Sequence, residues 1–559
     1  MTSADRPASR TPEALNTCGN ELVRLGKFVE AIAHYQEALR LRPDFAIAHN
    51  NLANALSQQG KFDVAVDHYQ AAIRLRPGLT GAHDNLGVAL KALGKTEEAR
   101  ASFLEALRLQ PDFVEAHLNL ADLLASQGNL NEAVESLQRA VRLSPTLPKA
   151  HHNLGFVFAQ LGRLDEALAC YREALHLKSD YAELLPNLGN TLRDLGRIHE
   201  AEACYRDAVR LFPNSAGSHN NLGNILADQG QFDAAQACYL EAVRLNPEYV
   251  EAHTNRAHAY LASGDYLRGF LEYEWRLRSK THATNSSLGP RWRGESLSGK
   301  TILIRTEQGF GDTFQFLRYL TLVKERGGRL LLECEPPLVE LLSRLSALDR
   351  IIPLGSPLPR FDVQCSLLSL PAIFGTALDT VPAKIPYLFP CPELTQRWQA
   401  ELSMDQGFKV GIAWQGNPKH KRDRFRSIPL RQFRPLAEVP GVRLISLQQG
   451  PGTDQLTGIS ETFSVLKIGP APEKAQRTFC DTAAIIQGLD LIITVDTAIA
   501  HLAGALGVPV WVALPLIPDW RWMRDRDDTP WYPSMRLYRQ SAMNHWDDVI
   551  RRMAGSFPL

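Results

Sequence analysis

Asp312 is the acidic residue whose setting most suggests chemistry. It closes the loop Gly309-Phe310-Gly311-Asp312, which follows the short apolar run TILIR. A carboxylate on a glycine loop at the end of a strand could take a proton from a substrate hydroxyl, as a general base does. Asp before Thr-Phe-Gln-Phe also suits the start of a helix, so capping is the alternative, and the two roles are compatible.

A cluster of positive charge occupies residues 419–427, where KHKRDRFRS carries five cations and one acid. It follows WQGNP at the end of a predicted strand, and a site that holds a phosphate group needs such cations. Lys421, Arg426 and Ser427 are therefore candidate ligands of an anionic group. A solvated surface loop is the alternative, and a nucleic-acid patch is disfavoured because aromatic residues are sparse here.

A third candidate segment begins at Asp496, where the run GLDLIITV gives way to a predicted helix. The free backbone N–H groups at a helix start suit a phosphate, and Thr497 could add a hydroxyl. Asp496 could accept hydrogen bonds from ligand hydroxyls, while His501 either reaches the ligand or packs. Trp520 is a candidate for stacking against a bound ring. The string DRD at 525–527 follows no strand, so we predict an exposed loop there and neither a metal nor a cofactor.

Two α/β units are needed to position these residues. Apolar runs alternate with helical spacing from TILIR to RLLLECE, and again from KVGIAW through VRLISL and GLDLIITV to VPVWVAL. Such alternation is typical of parallel sheets, which bind ligands beyond the carboxyl ends of their strands. A break near residues 390–408 predicts domains at 300–400 and 401–559. The glycine loop lacks the third glycine of G-x-G-x-x-G and no Walker A motif exists, which disfavours a dinucleotide or P-loop site.

The first half of the chain is built from a 34-residue repeat. Glycine recurs at this interval, an aromatic or apolar residue follows nine positions later, and alanine and proline mark most units. The glycines are Gly26, Gly60, Gly94, Gly128, Gly162, Gly196, Gly230 and Gly264. Glycine permits the tight turn between antiparallel helices, and proline ends the second helix. Length and markers match the tetratricopeptide repeat (TPR), which predicts an α-solenoid of about eight units over 12–283, between a tail at 1–11 and a linker at 284–299.

Two polar positions recur with the same period. Asparagine recurs in the first helix of most units, before a leucine in all but the last, at Asn51, Asn85, Asn119, Asn153, Asn187, Asn221 and Asn255. These helices line the concave face of a solenoid, so the carboxamides would form a ladder able to hold a peptide backbone. The alternative is that they only join neighbouring helices. Histidine recurs at another repeat position, from His49 to His253, and that periodicity favours helix packing over metal binding or catalysis.

Composition excludes several classes of protein. Of 559 residues, 45% are hydrophobic and 22% charged, which is ordinary for a globular chain and excludes a collagenous or wholly disordered one. The 61 basic and 61 acidic residues balance, which argues against a dedicated nucleic-acid binder. There is no secretory leader pattern, no membrane-length apolar stretch and no CxxC pair. We therefore expect a cytoplasmic protein with reduced thiols.

The α/β region resembles the heptosyltransferase-like enzymes of glycosyltransferase family 9. Gly311-Asp312 is similar to their GD loop, and Asp496-Thr497 with His501 is similar to their D-T-x-x-x-H donor-site helix. Joined to TPRs, the plan resembles bacterial TPR-glycosyltransferases and the O-GlcNAc transferases. The resemblance implies a GT-B fold of two Rossmann-like domains, with an inverting displacement. It also implies Asp312 as the base, Arg426 as a diphosphate ligand, and repeat asparagines that hold an acceptor polypeptide.

We therefore expect a glycosyltransferase that moves a sugar from a nucleotide sugar to a Ser or Thr hydroxyl of a protein held along the TPR arm. Two alternatives stay open: a TPR scaffold with a degenerate, non-catalytic α/β region, and a transferase acting on glycan or lipid acceptors. Neither the sugar nor the nucleotide follows from the sequence. A solenoid face could also pair with a second copy of the chain, so a homo-oligomer stays open as well.

Overall fold

Two compact units make up the chain, residues 1–211 and residues 212–559. The computed structural model describes residues 11–279, 289–404, 406–420, 423–459, 462–468 and 479–557. The first unit holds six pairs of antiparallel helices within its described residues. The second holds two more pairs and then an α/β region.

The repeat helices alternate as first and second member of each pair. Within residues 11–279 they are α1 Pro12–Arg24, α2 Phe28–Leu41, α3 Ala46–Gln58, α4 Phe62–Leu75, α5 Thr80–Ala92, α6 Thr96–Leu109, α7 Val114–Ser126, α8 Leu130–Leu143, α9 Pro148–Gln160, α10 Leu164–Leu177, α11 Leu185–Asp194, α12 Ile198–Leu211, α13 Ala216–Asp228, α14 Phe232–Leu245, α15 Val250–Ala262 and α16 Tyr266–Tyr273. The eight predicted turn glycines all have φ between 74° and 89°, which glycine adopts without strain. The predicted solenoid of TPR-like helices is confirmed.

The sixth repeat departs from the pattern for a local reason. It follows Ser179 where most units have a proline, and it carries Pro186 near the start of its first helix. Proline has no N–H to donate, so it disfavours an α-helical turn that would need that bond. The helix accordingly opens with a 3₁₀ turn at Ala182–Leu184, and α11 is 10 residues long where the other first helices have 13.

A four-stranded parallel sheet follows the repeats. Its strands are β1 Thr301–Arg305, β2 Arg329–Cys334, β3 Arg350–Pro353 and β4 Val363–Ser366, in the order β3-β2-β1-β4. The helices between and after them are α17 Phe310–Phe316, α18 Leu320–Glu325, α19 Val339–Leu342 and α20 Leu370–Ile373. The loop from β1 into α17 therefore lies at the carboxyl edge of this sheet.

A second parallel sheet has six strands. After α21 Pro392–Ser403, they are β5 Phe408–Ala413, β6 Val442–Ser446, β7 Leu466–Lys467, β8 Leu491–Val495, β9 Val510–Leu514 and β10 Met535–Arg539. Their order is β10-β9-β8-β5-β6-β7. The accompanying helices are α22 Asp423–Arg426, α23 Arg434–Ala437, α24 Phe479–Ile486, α25 Ala498–Ala505 and α26 Trp546–Ala554. The α/β prediction is thus confirmed as two parallel sheets.

One apolar core joins both sheets to the last repeat. It includes Tyr266 and Phe270 of α16, side chains of α17 and α25, and Trp520 and Trp531 from the segments after β9. A separate cluster lies under α23 and α26 on the second sheet. In the described ranges, no helix combines the length and apolar character needed to cross a bilayer.

Candidate functional site

Asp312 lies in the first turn of α17, at the carboxyl edge of the first sheet. Gly309 caps the helix, so Asp312 is its third residue rather than the cap that the sequence alternative implied. Its Oδ2 accepts a hydrogen bond from the Gly309 N–H at 3.0 Å, which satisfies a donor that the helix leaves free. Gln308, just before, has φ 63°, and its amide donates to the Tyr273 hydroxyl at 2.7 Å. The loop that carries the carboxylate is therefore held at both ends.

Arg521 joins Asp312 to the second α/β domain. Its Nη2 donates to Asp312 Oδ1, its Nη1 donates to Asp519 Oδ1 at 2.8 Å, and its Nε donates to Gln315 Oε1 at 2.7 Å. The side chain of Arg521 is 10% exposed, so the ion pairs are little screened by water. Burial raises the pKa of Asp312 above its ordinary value, although the Arg521 charge opposes the shift.

Asp496 and Asp519 are two further carboxylates near Arg521, and with Asp312 they form the carboxylate cluster of this region. Asp496 follows β8, and Asp519 follows β9, so both lie at the carboxyl edge of the second sheet. Burial and the neighbouring Asp519 raise the pKa of Asp496 to about 6. Arg521 and two hydrogen bonds from it hold the pKa of Asp519 low, against the effect of burial. The pair thus shares less than two full negative charges near pH 6.

His501 packs inside the junction between α17 and α25. It is 5% exposed, its Nδ1 lies 3.1 Å from the Tyr532 hydroxyl, and its ring stacks on Trp522. Burial and Arg521 lower the pKa of His501 to about 3, so the ring is neutral. A Cβ on Gly311 would stand 3.0 Å from His501 Cδ2, and glycine therefore permits the two helices to approach. Of the two roles predicted for His501, the geometry fits packing.

Arg426 and Ser427 lie beside the glycine loop after β5. Arg426 Nε donates to Asp423 Oδ1 at 3.2 Å, and a Cβ on Gly416 would meet the guanidinium at 2.7 Å. Ser427 Oγ accepts from the Gly416 N–H at 3.1 Å. The Arg426 charge acts on Asp496 and opposes the rise of its pKa, so the basic run does reach the cluster. Lys421 lies outside the described residues.

Thr497 and Trp520 are the two remaining residues that the sequence predicted for the ligand site. Thr497 is the N-cap residue of α25, and its hydroxyl lies 3.2 Å from that of Thr494; its role in holding a ligand stays a prediction. Trp520 is a correction. It is 5% exposed, with Tyr266 and Phe270 edge-on and the Arg521 guanidinium 4.3 Å from its ring centre. No face of the ring is left open for a bound base, because the last repeat covers it.

The repeat asparagines are half-buried and most of them hydrogen-bond to the preceding repeat. Within the first unit, Asn51 donates to Asn16 and Asn20, Asn85 to Asn54, and Asn119 to Asp84, while Asn187 pairs with His152. Within the second, Asn255 donates to Asn220. The joining role is therefore present in these five. For Asn153 and Asn221 we find no such bond among the described residues.

The repeat histidines have a structural partner. In six units the Nε2 of the histidine lies 2.8–3.0 Å from the carbonyl of the proline six residues earlier, as for His49 with Pro43 and His253 with Pro247. The side chain thus satisfies a carbonyl at the turn between repeats. This agrees with the packing role that their period predicted.

Asp519, Arg521 and Gln315 are the residues that sequence reasoning missed. Arg521 and Asp312 are 209 positions apart, so no local pattern links them. The one usable signal was the position of PDWRW after β9, at the edge where parallel sheets bind ligands. Across the described ranges, no three His, Cys, Asp or Glu side chains are grouped so as to hold a metal ion. The arrangement offers a carboxylate whose pKa is raised, Asp312, a buried arginine, Arg521, and the N-terminus of α25, where no side chain caps the helix.

Comparisons with known proteins match the repeats. The family described as TPR repeat matches residues 19–60, and the Cilia and flagella-associated protein 70 C-terminal domain family matches residues 46–260. Protein FlbA of Caulobacter vibrioides is 30% identical over 323 residues, which cover 54% of this chain and 53% of FlbA. The match thus spans about half the length of that relative.

Solved structures add similarity to TPR proteins. A tetratricopeptide repeat protein from Parabacteroides merdae is 18% identical, with a TM-score of 0.37 over 44% of this chain and 97% of its own. The TPR protein TTC0263 of Thermus thermophilus is 25% identical, with a TM-score of 0.30 over 33% of this chain and 99% of its own. The family match and the helix geometry together make the first half of this chain an array of tetratricopeptide repeats.

Proposed function

We propose that the chain is a glycosyltransferase of GT-B type that modifies a polypeptide. The observation that carries the proposal is that Arg521 bonds both Asp312, at the carboxyl edge of the first sheet, and Asp519, at that of the second, while Gly311 packs against His501. These are the edges at which open α/β folds bind ligands. The residues that resemble family 9 motifs lie in two distant stretches of sequence, and they converge on this one cluster.

Asp312 would act as the general base. It takes the proton from an acceptor Ser or Thr hydroxyl, while that oxygen bonds to the anomeric carbon and the bond from that carbon to the phosphate oxygen breaks. The raised pKa of Asp312 makes it a better proton acceptor than an exposed aspartate. The hydroxyl approaches from the face opposite the leaving nucleotide, so the anomeric configuration inverts.

The departing phosphate would be held by the second domain. Arg426 supplies a positive charge near Asp496, and the start of α25 presents free backbone N–H groups. Both act most strongly as negative charge grows on the leaving oxygen, which is where a transferase needs stabilisation. Protonation of Asp496, whose pKa is raised to about 6, would weaken its repulsion of that charge.

The TPR array would present the acceptor. TPR solenoids bind partners along the concave face that their first helices line, and seven half-buried asparagines occupy one repeat position of those helices. Their Nδ2 groups are used between repeats in five cases, so the carboxamide oxygens are the groups that would accept from a peptide N–H; that of Asn51 already accepts from Asn50 at 3.5 Å. We propose a protein acceptor on this basis.

The decisive experiment is a donor screen with the intact chain. Purified protein is incubated with UDP-, GDP-, ADP- and CMP-sugars and candidate acceptor proteins, and transfer is followed by the mass of the acceptor. We expect Asp312→Asn to lose at least about 10²-fold in transfer rate, as for a removed general base. Asp379→Asn, which removes an exposed carboxylate, is the matched control. Full activity of Asp312→Asn would remove Asp312 from the role of base.

A TPR scaffold with a non-catalytic α/β region is the second candidate. The observation in its favour is that both oxygens of Asp312 already have partners, Gly309 and Arg521. Calorimetric titration with UDP, GDP, ADP and CMP, the nucleotides that these donors release, separates the two candidates. Binding that weakens in Arg426→Ala supports the transferase, and no binding to any nucleotide favours the scaffold.

A further inference from the structure

A cavity of 310 Å³ lies where the last repeat meets the first sheet. Leu271 and Leu277 come from α16 and the turn after it, and Ile373 comes from α20. Thr306 follows β1 and Ser366 is the last residue of β4, so the cavity lies at the carboxyl edge of the sheet. Ligand pockets hold about 300–1,000 Å³, so this one suits a single side chain or small group better than a whole nucleotide sugar.

The acidic residues of the lining are already neutralised. Arg276, 4% exposed, donates to Glu274 at 2.8 Å and to Glu307 at 2.5 Å. Arg305, also in the lining, pairs with Glu333 at 2.5 Å. The carboxylates of the walls are therefore paired with arginines, and beside them lies apolar surface from leucine, isoleucine and tryptophan side chains.

The exposed part of the lining is positively charged. Arg291 and Arg293 are both exposed, and among the described residues neither guanidinium has a carboxylate within 4 Å, although the charge of Arg293 acts on the Glu295 carboxyl. Their backbones are fixed, because residue 291 forms a β-bridge with Gln364 and the Arg293 N–H donates to Glu295. Two cations are thus held beside an apolar hole, which favours an anionic group next to an apolar one.

The cavity adjoins the loop that carries Asp312. Glu307 lies in its wall, and the charge of Glu307 acts on the carboxyl of Asp312. On the other side, Leu271 is 62% exposed and Leu267 is 49% exposed, so apolar surface continues from the cavity along α16.

We propose that this cavity is a specificity site for the acceptor polypeptide. An apolar side chain of the acceptor fills the hole, and a neighbouring Asp or Glu pairs with Arg291 and Arg293. The inference rests on the proposed function in taking that peptide as the acceptor, but peptide binding itself does not require transfer. The substrate class is then a Ser- or Thr-containing segment with acidic and apolar residues close by.

The test compares two fluorescein-labelled 12-residue peptides by anisotropy with the full chain. Both have a central Ser and a Leu; one carries two Asp residues beside the Leu and the other carries two Lys residues. We expect the Asp peptide to bind about tenfold more tightly, and less so as salt rises. The double variant Arg291→Glu, Arg293→Glu should reverse the preference. Arg350→Glu, a charge change at an exposed residue of β3 outside the cavity, should leave it unchanged.

A second variant tests the apolar part. Ile373→Trp narrows the cavity from one wall, so it should lower the affinity for the Asp peptide. The residual binding should still weaken with salt to the same degree as in the native chain. Equal binding of the two peptides to the native chain overturns the proposal, and so does an unreversed preference in the double arginine variant. Peptide preference that persists while no nucleotide binds would leave this inference standing and count against the proposed transferase.

Discussion

Arg521 controls the charge of the carboxylate cluster, because it touches Asp312 and Asp519 at once. Replacing it by Met removes the one cation that opposes the raised pKa of Asp312, so that pKa should rise further. A base works only when deprotonated, so the acid limb of the pH–rate profile should move to higher pH. Near neutrality the transfer rate should fall, because a smaller fraction of Asp312 is then deprotonated.

Arg526→Met is the matched control for this prediction. Arg526 pairs with Asp528, which is 65% exposed. The substitution therefore removes the same charge as Arg521→Met, but at a place away from the carboxylate cluster. The control should keep the native acid limb. If Arg521→Met lowered the rate equally at every pH and left the acid limb of the pH–rate profile where the native chain has it, Arg521 would not set the pKa of Asp312.

Asp496 should destabilise the fold when it ionises. Its pKa is about 6 in the folded chain and about 3.9 in an unfolded one, so the folded state binds the proton more tightly. Stability from this group is therefore present at pH 4 and below and is lost as pH rises through 6. Asp496→Asn, which stays neutral, should exceed the native chain by about 1–2 kcal/mol at pH 7.5 and match it near pH 4. Urea unfolding at both pH values measures this, and an equal difference at both would contradict it.

At the scale of elements, the repeats depend on small residues where helices cross. A Cβ on Gly223 of α13 would meet the Tyr239 ring at 2.6 Å, whereas one on Gly217 in the same helix finds nothing closer than 3.9 Å. Both Gly→Ala changes gain helix propensity, but only Gly223→Ala must displace a ring. We expect Gly217→Ala to be more stable than Gly223→Ala by about 1–2 kcal/mol.

Chemical unfolding of the two variants checks that difference. Ala53 holds the equivalent position beside Tyr69 in the second repeat, so the helix pair can adapt and the cost should not be larger. Equal stability of the two variants would show that ring and helix adjust freely.

The elements were more predictable than the site. Helices α1–α16 follow from a period that repeats local causes, glycine at the turn and proline at the end. The strands follow from their apolar runs. By contrast, the ion pair of Arg521 with Asp312 depends on how two sheets meet, and Trp520 looked like an open ring because nothing in its sequence shows that α16 covers it. Local patterns gave Asp312, Asp496 and Arg426, and tertiary packing decided what surrounds them.

At the scale of the molecule, the seventh and eighth repeats belong to the unit that holds the sheets. Arg524, three residues after Arg521, donates to the Asp228 carbonyl at the end of α13 at 2.6 Å. Met523 has φ 53° and ψ −156°, and its Cε lies near the turn glycine Gly264. Trp531 stacks on Tyr266 and donates to its hydroxyl at 3.1 Å. The segment that presents Arg521 is therefore fixed by the repeats, so the site needs them for its shape.

A pair of truncated chains tests this dependence. Residues 212–559 keep α13–α16, and we expect them to unfold cooperatively with the nucleotide affinity of the full chain. Residues 284–559 lose Tyr266, Phe270 and Tyr273, all at most 4% exposed. Each buried aromatic contributes about 1.5–3 kcal/mol, so the loss approaches the 5–15 kcal/mol that holds a typical domain folded. The shorter fragment should lack a cooperative transition by thermal circular dichroism. A folded, nucleotide-binding 284–559 would show that the α/β region builds its site without the repeats.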